Sequence, residues 1–262
     1  MKNKKILVLS DLKKSTNKVL KNSVGLAKMV QGDIQFFHVT KPIEVVEQDN
    51  QLSAIRSINE TQNSLKNKIE DSIKNITDNH GITIKYKFTI GNIKNEIGKY
   101  IEEVKPDIIV LGKRKPISFI GDNITGFILE KFKGIILITG DKSTLEPNEN
   151  LSLGMLNANQ NDLNFDLIEN LISHSKKPLK SFNIVKNLKE FNKTYNDDSK
   201  KEILNYVFEE NSNSIKNVSN FISKSDVNLL CFDRSDKTKR DINYTSVNKV
   251  IKNTDVSLLL TQ

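Results

Sequence analysis

The chain is predicted to be an α/β protein of two tandem repeats, each an open five-stranded parallel sheet flanked by helices. Three observations predict it. Short apolar runs such as IIVLG and IILIT alternate with stretches whose apolar residues recur at helical spacing. A chain of 262 residues holds two units of ordinary size, each able to bury a core. The order of elements in the first half also recurs in the second. The expected division is residues 1–140, a linker at 141–150 and residues 151–262.

The run KILVLS (5–10) stops at Asp11, and Ser15 or Thr16 can cap a helix carrying Val19, Leu20, Val24, Ala27 and Val30 on one face. Gly32 is expected to end that helix before the second strand, DIQFFHVTK. A long helix rich in Asn, Lys and Glu follows over about 53–79, closed by His80 and Gly81. ITIKYKFTI alternates as a third strand, and Gly91-Asn92 turns into a helix through Ile93, Ile97, Tyr100, Ile101 and Val104. PDIIVLG is apolar throughout, as in a strand buried on both faces. The loop KRKPISFIG leads to a helix from about 122, and GIILIT is the fifth strand. Such alternation implies parallel pairing with right-handed crossovers.

DKSTLEPNEN (141–150) has no apolar periodicity and marks the linker. LSLGMLN, NFDLIENLISHS, LKSFNIVKN, a shorter helical or irregular stretch, ILNYVFEEN, SIKNVSNFISKS, VNLLCF, YTSVNKVIKN and VSLLLT then repeat the first half. The tails match most clearly: DIIVLG, loop, helix and IILIT face NLLCFD, loop, helix and SLLLT.

Composition excludes several classes. The net charge of +8 divides into 24 basic and 18 acidic residues in the first 150 positions, and 16 and 14 thereafter. The lysines are dispersed among acids, there is no Trp, and only five Tyr are present, so neither a basic block nor a base-stacking platform points to nucleic acid. One cysteine, Cys231, rules out an intramolecular disulfide and lies in a strand as an inert core residue. No run approaches the roughly 18 apolar residues of a membrane span. MKNKKILVLSD has no signal-peptide core, so the cytoplasm is the expected compartment. Walker, dinucleotide, Gly-x-Ser-x-Gly and metal-spaced His or Cys motifs are absent. A phosphoacceptor receiver would need clustered acids after β1 and another after β3, where Asp11 is alone and Gly91-Asn92 stand instead.

In open α/β sheets ligands sit outside the carboxyl ends of the strands, which directs attention to Asp11, to Val39 with Thr40, and to Gly112 onward. There KILVLSDLKKST, FFHV, TIGNIKNEI and PDIIVLG resemble the universal stress protein family, over nearly all of residues 4–139, with the second repeat matching by order of elements. The resemblance implies a stress-response or regulatory module without enzymatic activity. Its alternative is a nucleotide-binding stress protein or weak ATPase acting through the first repeat, with ATP or AMP as cofactor. Nucleotide-binding members carry a loop after the fourth strand with Gly, two residues, Gly, nine residues, then Gly and Ser or Thr. Glycines there admit phosphate to backbone N–H groups, and the hydroxyl adds a donor at a helix start.

This chain keeps Gly112, but Lys115 holds the second glycine position and the final pair falls on Asp122-Asn123 or Gly121-Asp122. An aspartate there repels polyphosphate and can cap the helix itself. Lys113, Arg114 and Lys115 are either a solvated run or the cradle of a smaller anion. The resemblance thus names Asp11, Val39, Gly112, Lys113, Lys115 and Asn123 as candidate cofactor-binding residues, with ATP bound weakly or not at all. Asp11 also has a local reading, as acceptor for the N–H groups of its own turn. His38 reads as a packed histidine, and His80 and His174 as helix-end residues. In the second repeat Asp233, Asp236 and Tyr244-Thr245 replace the loop motif, and Asn157 or Ala158 stands at the place of Asp11. Family members pair through the fifth strand. GIILIT and VSLLLT are therefore expected to cover each other as an intramolecular pseudo-dimer, with further homodimerisation open.

Overall fold

The computed structural model describes residues 3–42, 51–113, 124–141, 144–145, 151–157, 165–186, 202–234 and 244–261, with the backbone alone at 51–55, 57, 165–166 and 244–246. The first half runs β1 (Lys4–Leu9), α1 (Thr16–Val30), β2 (Gly32–Thr40), α2 (Gln51–His80), β3 (Ile84–Ile90), α3 (Ile93–Val104), β4 (Ile108–Gly112), α4 (Ile124–Lys131) and β5 (Ile135–Thr139). The second runs β6 (Leu153–Leu156), α5 (Phe165–Ser173), β7 (Leu179–Val185), β8 (Ile203–Glu209), α6 (Ser214–Lys224), β9 (Leu229–Asp233), α7 (Tyr244–Asn253) and β10 (Ser257–Thr261). The stretch expected between β7 and β8 lies outside the described residues, as does the start of the helix expected from 122.

All ten strands form one sheet in the order β3-β2-β1-β4-β5-β10-β9-β6-β7-β8. Pairing is parallel within each half, and β5 meets β10 antiparallel with Leu137 opposite Leu259. The apolar runs become central strands for the reason their composition gave: β4, β5, β9 and β10 are buried along their lengths because helices cover both faces. One face holds Ile6, Val8, Leu20 and Ile69 together with Met155 and Leu171. The other holds Leu7, Ile109 and Ile128 together with Phe232 and Leu258. Each core therefore runs across both halves.

One local expectation needs correcting. Gly32 does not end α1: Gln31 takes the left-handed conformation (φ 53°) and donates its N–H to the Ala27 carbonyl, while Gly32 already belongs to β2. The reason is packing, since a Cβ on Gly32 would stand 2.5 Å from Ile6 Cδ1. The connection between halves docks on α1 at Leu145. Leu145 is buried, its N–H donates to Asn22 Oδ1 (2.9 Å), and its carbonyl lies where a Cβ on Gly25 of α1 would sit, at 1.8 Å. At the other expected turns the chemistry is as read: Gly81 has φ 63°, and Asn92 caps α3 by accepting from the Asn95 N–H.

Candidate functional site

The strand order reverses between β1 and β4, and a cleft of about 440 Å³ opens there at the carboxyl ends of β1, β2 and β4. Its floor is apolar, from Leu9, Phe37, Leu111, Ile97 and Ile124, and its rim is polar, from Asp11, Lys13, Thr40, Lys41, Lys68 and Thr125. The volume falls within the range usual for small-molecule sites.

The β1–α1 turn is built by its own side chains. Ser10 Oγ accepts from the Leu12 N–H (3.2 Å) and shares a hydrogen bond with Thr16 Oγ1 (2.9 Å), while Asp11 Oδ1 accepts from the Lys13 N–H (3.2 Å). These bonds hold Leu12 at φ 56°, a left-handed conformation that a leucine rarely adopts. His38 is buried; its Nδ1 lies 2.8 Å from the Ser10 carbonyl and its Nε2 lies 2.9 Å from Thr40 Oγ1. A carbonyl only accepts, so Nδ1 carries a proton, and His38 ties β1 to β2 beneath the cleft as a packed histidine should.

Three of the six candidate residues meet in this cleft. Asp11 and Val39 line it, and so does Gly112, where a Cβ would stand 3.0 Å from Val19 Cγ2 of α1. The Phe37 carbonyl accepts from the Ser10 N–H (3.3 Å) and the Thr40 carbonyl from the Gly91 N–H (2.9 Å), so the alternation of the ladder turns the Val39 N–H and C=O toward the β1 side.

Lys113 is a correction. Its ammonium donates to the Thr254 carbonyl and lies 3.9 Å from Asp255 Oδ1, both in the second half, and it is not among the residues lining the cleft. The physical reason is that α7 ends there and leaves carbonyls without intrahelical donors. Burial pushes the Lys113 pKa down, opposed by Asp255 and Asp141. Lys115 and Asn123, with Arg114 and Asp122, lie outside the described residues. Sequence reasoning missed Lys13, Lys41, Leu65, Lys68 and Thr125. Thr125 was findable as the hydroxyl nearest the start of α4; Leu65 and Lys68 come from α2, which no local motif links to the strand ends.

In the second half the corresponding position is filled from within. The Asn157 N–H donates to the Phe182 carbonyl (2.9 Å) as Ser10 does to Phe37, so Asn157 matches Ser10, and Ala158 lies outside the described residues. Asn157 takes φ 49° and its Oδ1 accepts from the Ile184 N–H (2.7 Å), the counterpart of the Val39 N–H. Asp233 ends β9 where Gly112 ends β4. After it Arg234 mirrors Lys113: its guanidinium donates to the carbonyls of Leu129 (2.9 Å), Phe132 (2.5 Å) and Gly134 (2.6 Å) at the end of α4. The backbones agree as well, Lys113 N–H to Thr139 O (3.2 Å) and Arg234 N–H to Thr261 O (3.0 Å).

Among the described residues no cluster of His, Cys, Asp and Glu is arranged to hold a metal, and no helix is long and apolar enough to cross a membrane. The sequence profile described as the universal stress protein family matches residues 2–130. No curated protein matches the chain. Among solved structures, a universal stress protein from Archaeoglobus fulgidus aligns over 100% of this chain and 99% of its own at 13% identity, with a TM-score of 0.68. A putative universal stress protein from Pseudomonas aeruginosa aligns over 99% of this chain and 93% of its own at 13% identity, with a TM-score of 0.57. At such identities the likeness is one of fold, and it extends over both halves. Residues 2–130 belong to the universal stress protein family, and the same α/β fold is repeated after them.

Proposed function

We propose that this chain is a non-enzymatic stress-response or regulatory module with two units, 1–140 and 151–262, joined by 141–150. In this reading the first unit takes a nucleoside-sized ligand between β1 and β4, and the second serves as its structural partner. The observation that carries the reading is the contrast between the two strand-end crevices. The first has an apolar floor and a polar rim with Asp11, Val39 and Gly112 at the strand ends. In the second, Asn157 occupies the matching amide. Weak or absent ATP binding is supported by the commitment of Lys113 to Thr254 and by Asp122 at the phosphate position in sequence.

Calorimetric titration with adenosine, AMP and ATP tests this. Adenosine and AMP are expected to match or exceed ATP in affinity, and an ATP dissociation constant in the low micromolar range or tighter would sink the proposal. A second reading, an ATP- or AMP-binding protein or weak ATPase, is favoured by Lys13, Lys41 and Lys68 on one rim. It requires ATP to bind at least about tenfold more tightly than adenosine, equivalent to roughly 1.4 kcal/mol. It also requires Lys68→Ala to erase that difference.

A further inference from the structure

The two open ends of the sheet are built differently. β3 ends the sheet on one side and β8 on the other. Matching the ladders pairs Lys87 of β3 with Tyr206 of β8, because Lys87 stands beside Phe37 as Tyr206 stands beside Phe182. Counting from the N-caps Asn92 and Asn213 pairs Tyr100 of α3 with Phe221 of α6. At the first edge Lys87 lies over the Tyr100 ring (4.6 Å) and pairs with Glu103 (3.0 Å), and Tyr100 is 3% exposed. At the second edge no lysine stands on the strand. Phe221 is 39% exposed, the one exposed large hydrophobic among the described residues, with Tyr206 and Phe208 beside it at ring distances of 4.9 and 5.7 Å. Lysine on an edge strand discourages added strands; its replacement by aromatic residues removes that protection.

The backbone at this edge is oriented for pairing. The Glu202 carbonyl accepts from the Leu179 N–H (3.1 Å) and the Glu210 N–H donates to the Val185 carbonyl (2.9 Å), so even-numbered residues of β8 bond to β7. The N–H and C=O groups of Ile203, Asn205 and Val207 and the N–H of Glu209 therefore face outward, where the sheet has no further strand among the described residues, while the Glu209 carbonyl accepts from Ser214 Oγ (3.0 Å) and Asn211 Nδ2 (3.2 Å). The even side chains read Glu202, Leu204, Tyr206, Phe208, Glu210, an apolar and aromatic stripe with an acid at each end.

We infer that β8 is a docking edge for an extended segment of a partner protein, apolar in its centre and basic at both ends, which adds as an eleventh strand and covers Tyr206, Phe208 and Phe221. Charge selects this occupant over a second copy of the chain. Antiparallel self-pairing about Tyr206 sets Glu202 opposite Glu210 twice and Ile203 opposite Glu209, whereas a basic end meets an acid at each flank. Main-chain bonds supply the affinity and the aromatic stripe the preference for apolar side chains on one face.

The test uses the full-length protein and two fluorescent nine-residue peptides of alternating Thr and Val, one with two lysines at each end and one with two glutamates. The lysine-flanked peptide is expected to bind by anisotropy, to slow amide exchange at Ile203, Asn205, Val207 and Glu209, and to lose at least about tenfold in affinity between 50 and 300 mM salt. Val207→Pro removes an outward donor without touching the ladder to β7, and should abolish binding while the circular dichroism is retained. Phe221→Ala keeps the edge and should weaken binding at least about fivefold. The inference is overturned if the lysine-flanked peptide leaves those amides unprotected, if both peptides bind alike, or if the protein alone dimerises through β8 and Val207→Pro makes it monomeric.

Discussion

Lys113 and Arg234 occupy equivalent positions, one residue past β4 and β9, and each gives its charge to carbonyls at the end of the other half's last helix. Cations are favoured there by the helix dipole, and they satisfy carbonyls that would otherwise lack donors. Arg234→Met should therefore destabilise the protein by about 2 to 3 kcal/mol, since three charge-assisted bonds are lost together, and Lys113→Met by about 1 kcal/mol. Urea denaturation of the two variants checks both. Cys231 supplies a second test: burial pushes its thiol up to about 12. A folded pKa above the unfolded value near 8.5 means that this contribution to stability is intact below about pH 8.5 and is lost as pH rises toward 12. The measurable consequence at pH 8 is that a thiol reagent modifies Cys231 only as fast as the protein unfolds; immediate reaction would place the thiol at the surface. Asp11 and Gly112 were legible in the sequence because each ends an apolar run. Lys113 was not, because its partner Thr254 is 141 residues away and the same Lys-Arg-Lys run fits an anion cradle or a solvated loop equally well.

The strands were readable for a reason that also explains what was missed among the elements. β4, β5, β9 and β10 are buried on both faces, and no composition other than a continuous apolar run serves there. The docking of the connection on α1 left almost no trace, because it rests on one leucine and one glycine. Leu145 buries its side chain and gives its N–H to Asn22, and Gly25 makes room for the Leu145 carbonyl. Gly25→Ala places a methyl group against backbone atoms that cannot rotate away. It should cost about 1 to 3 kcal/mol despite alanine's better helix propensity, with the loss seen in thermal unfolding. Gly98→Ala is the control, since its Cβ would meet only Phe127 Cζ at 3.7 Å, and there the propensity gain should dominate.

At the scale of the molecule, the seam between β5 and β10 makes one sheet of two repeats and sends the two crevices to opposite edges, because the strands of the halves run antiparallel across it. The hydrogen bonds of the flanking ladders fix which groups form the seam. Thr139 and Ile135 turn toward β4, and Thr261 and Ser257 toward β9, so the backbone groups of Ile136 and Ile138 face those of Leu260 and Leu258. Leu137 and Leu259 form the central pair between these bonds, both fully buried. A lysine at 259 must carry its ammonium out of the core that Leu259 shares with Leu137 or lose its charge, and either outcome strains the seam as well as β10 itself. Loss of stability alone would not separate the two effects, but amide exchange does. In Leu259→Lys the Ile136 and Ile138 amides, which face the seam, should exchange at least about tenfold faster than in the parent protein. The Leu137 amide, which faces β4, should keep its protection because the first half retains its own ladder. Equal acceleration at all three amides would mean that the first half has no stability apart from the second, and no acceleration at Ile136 and Ile138 would mean that the seam is not where the repeats are joined.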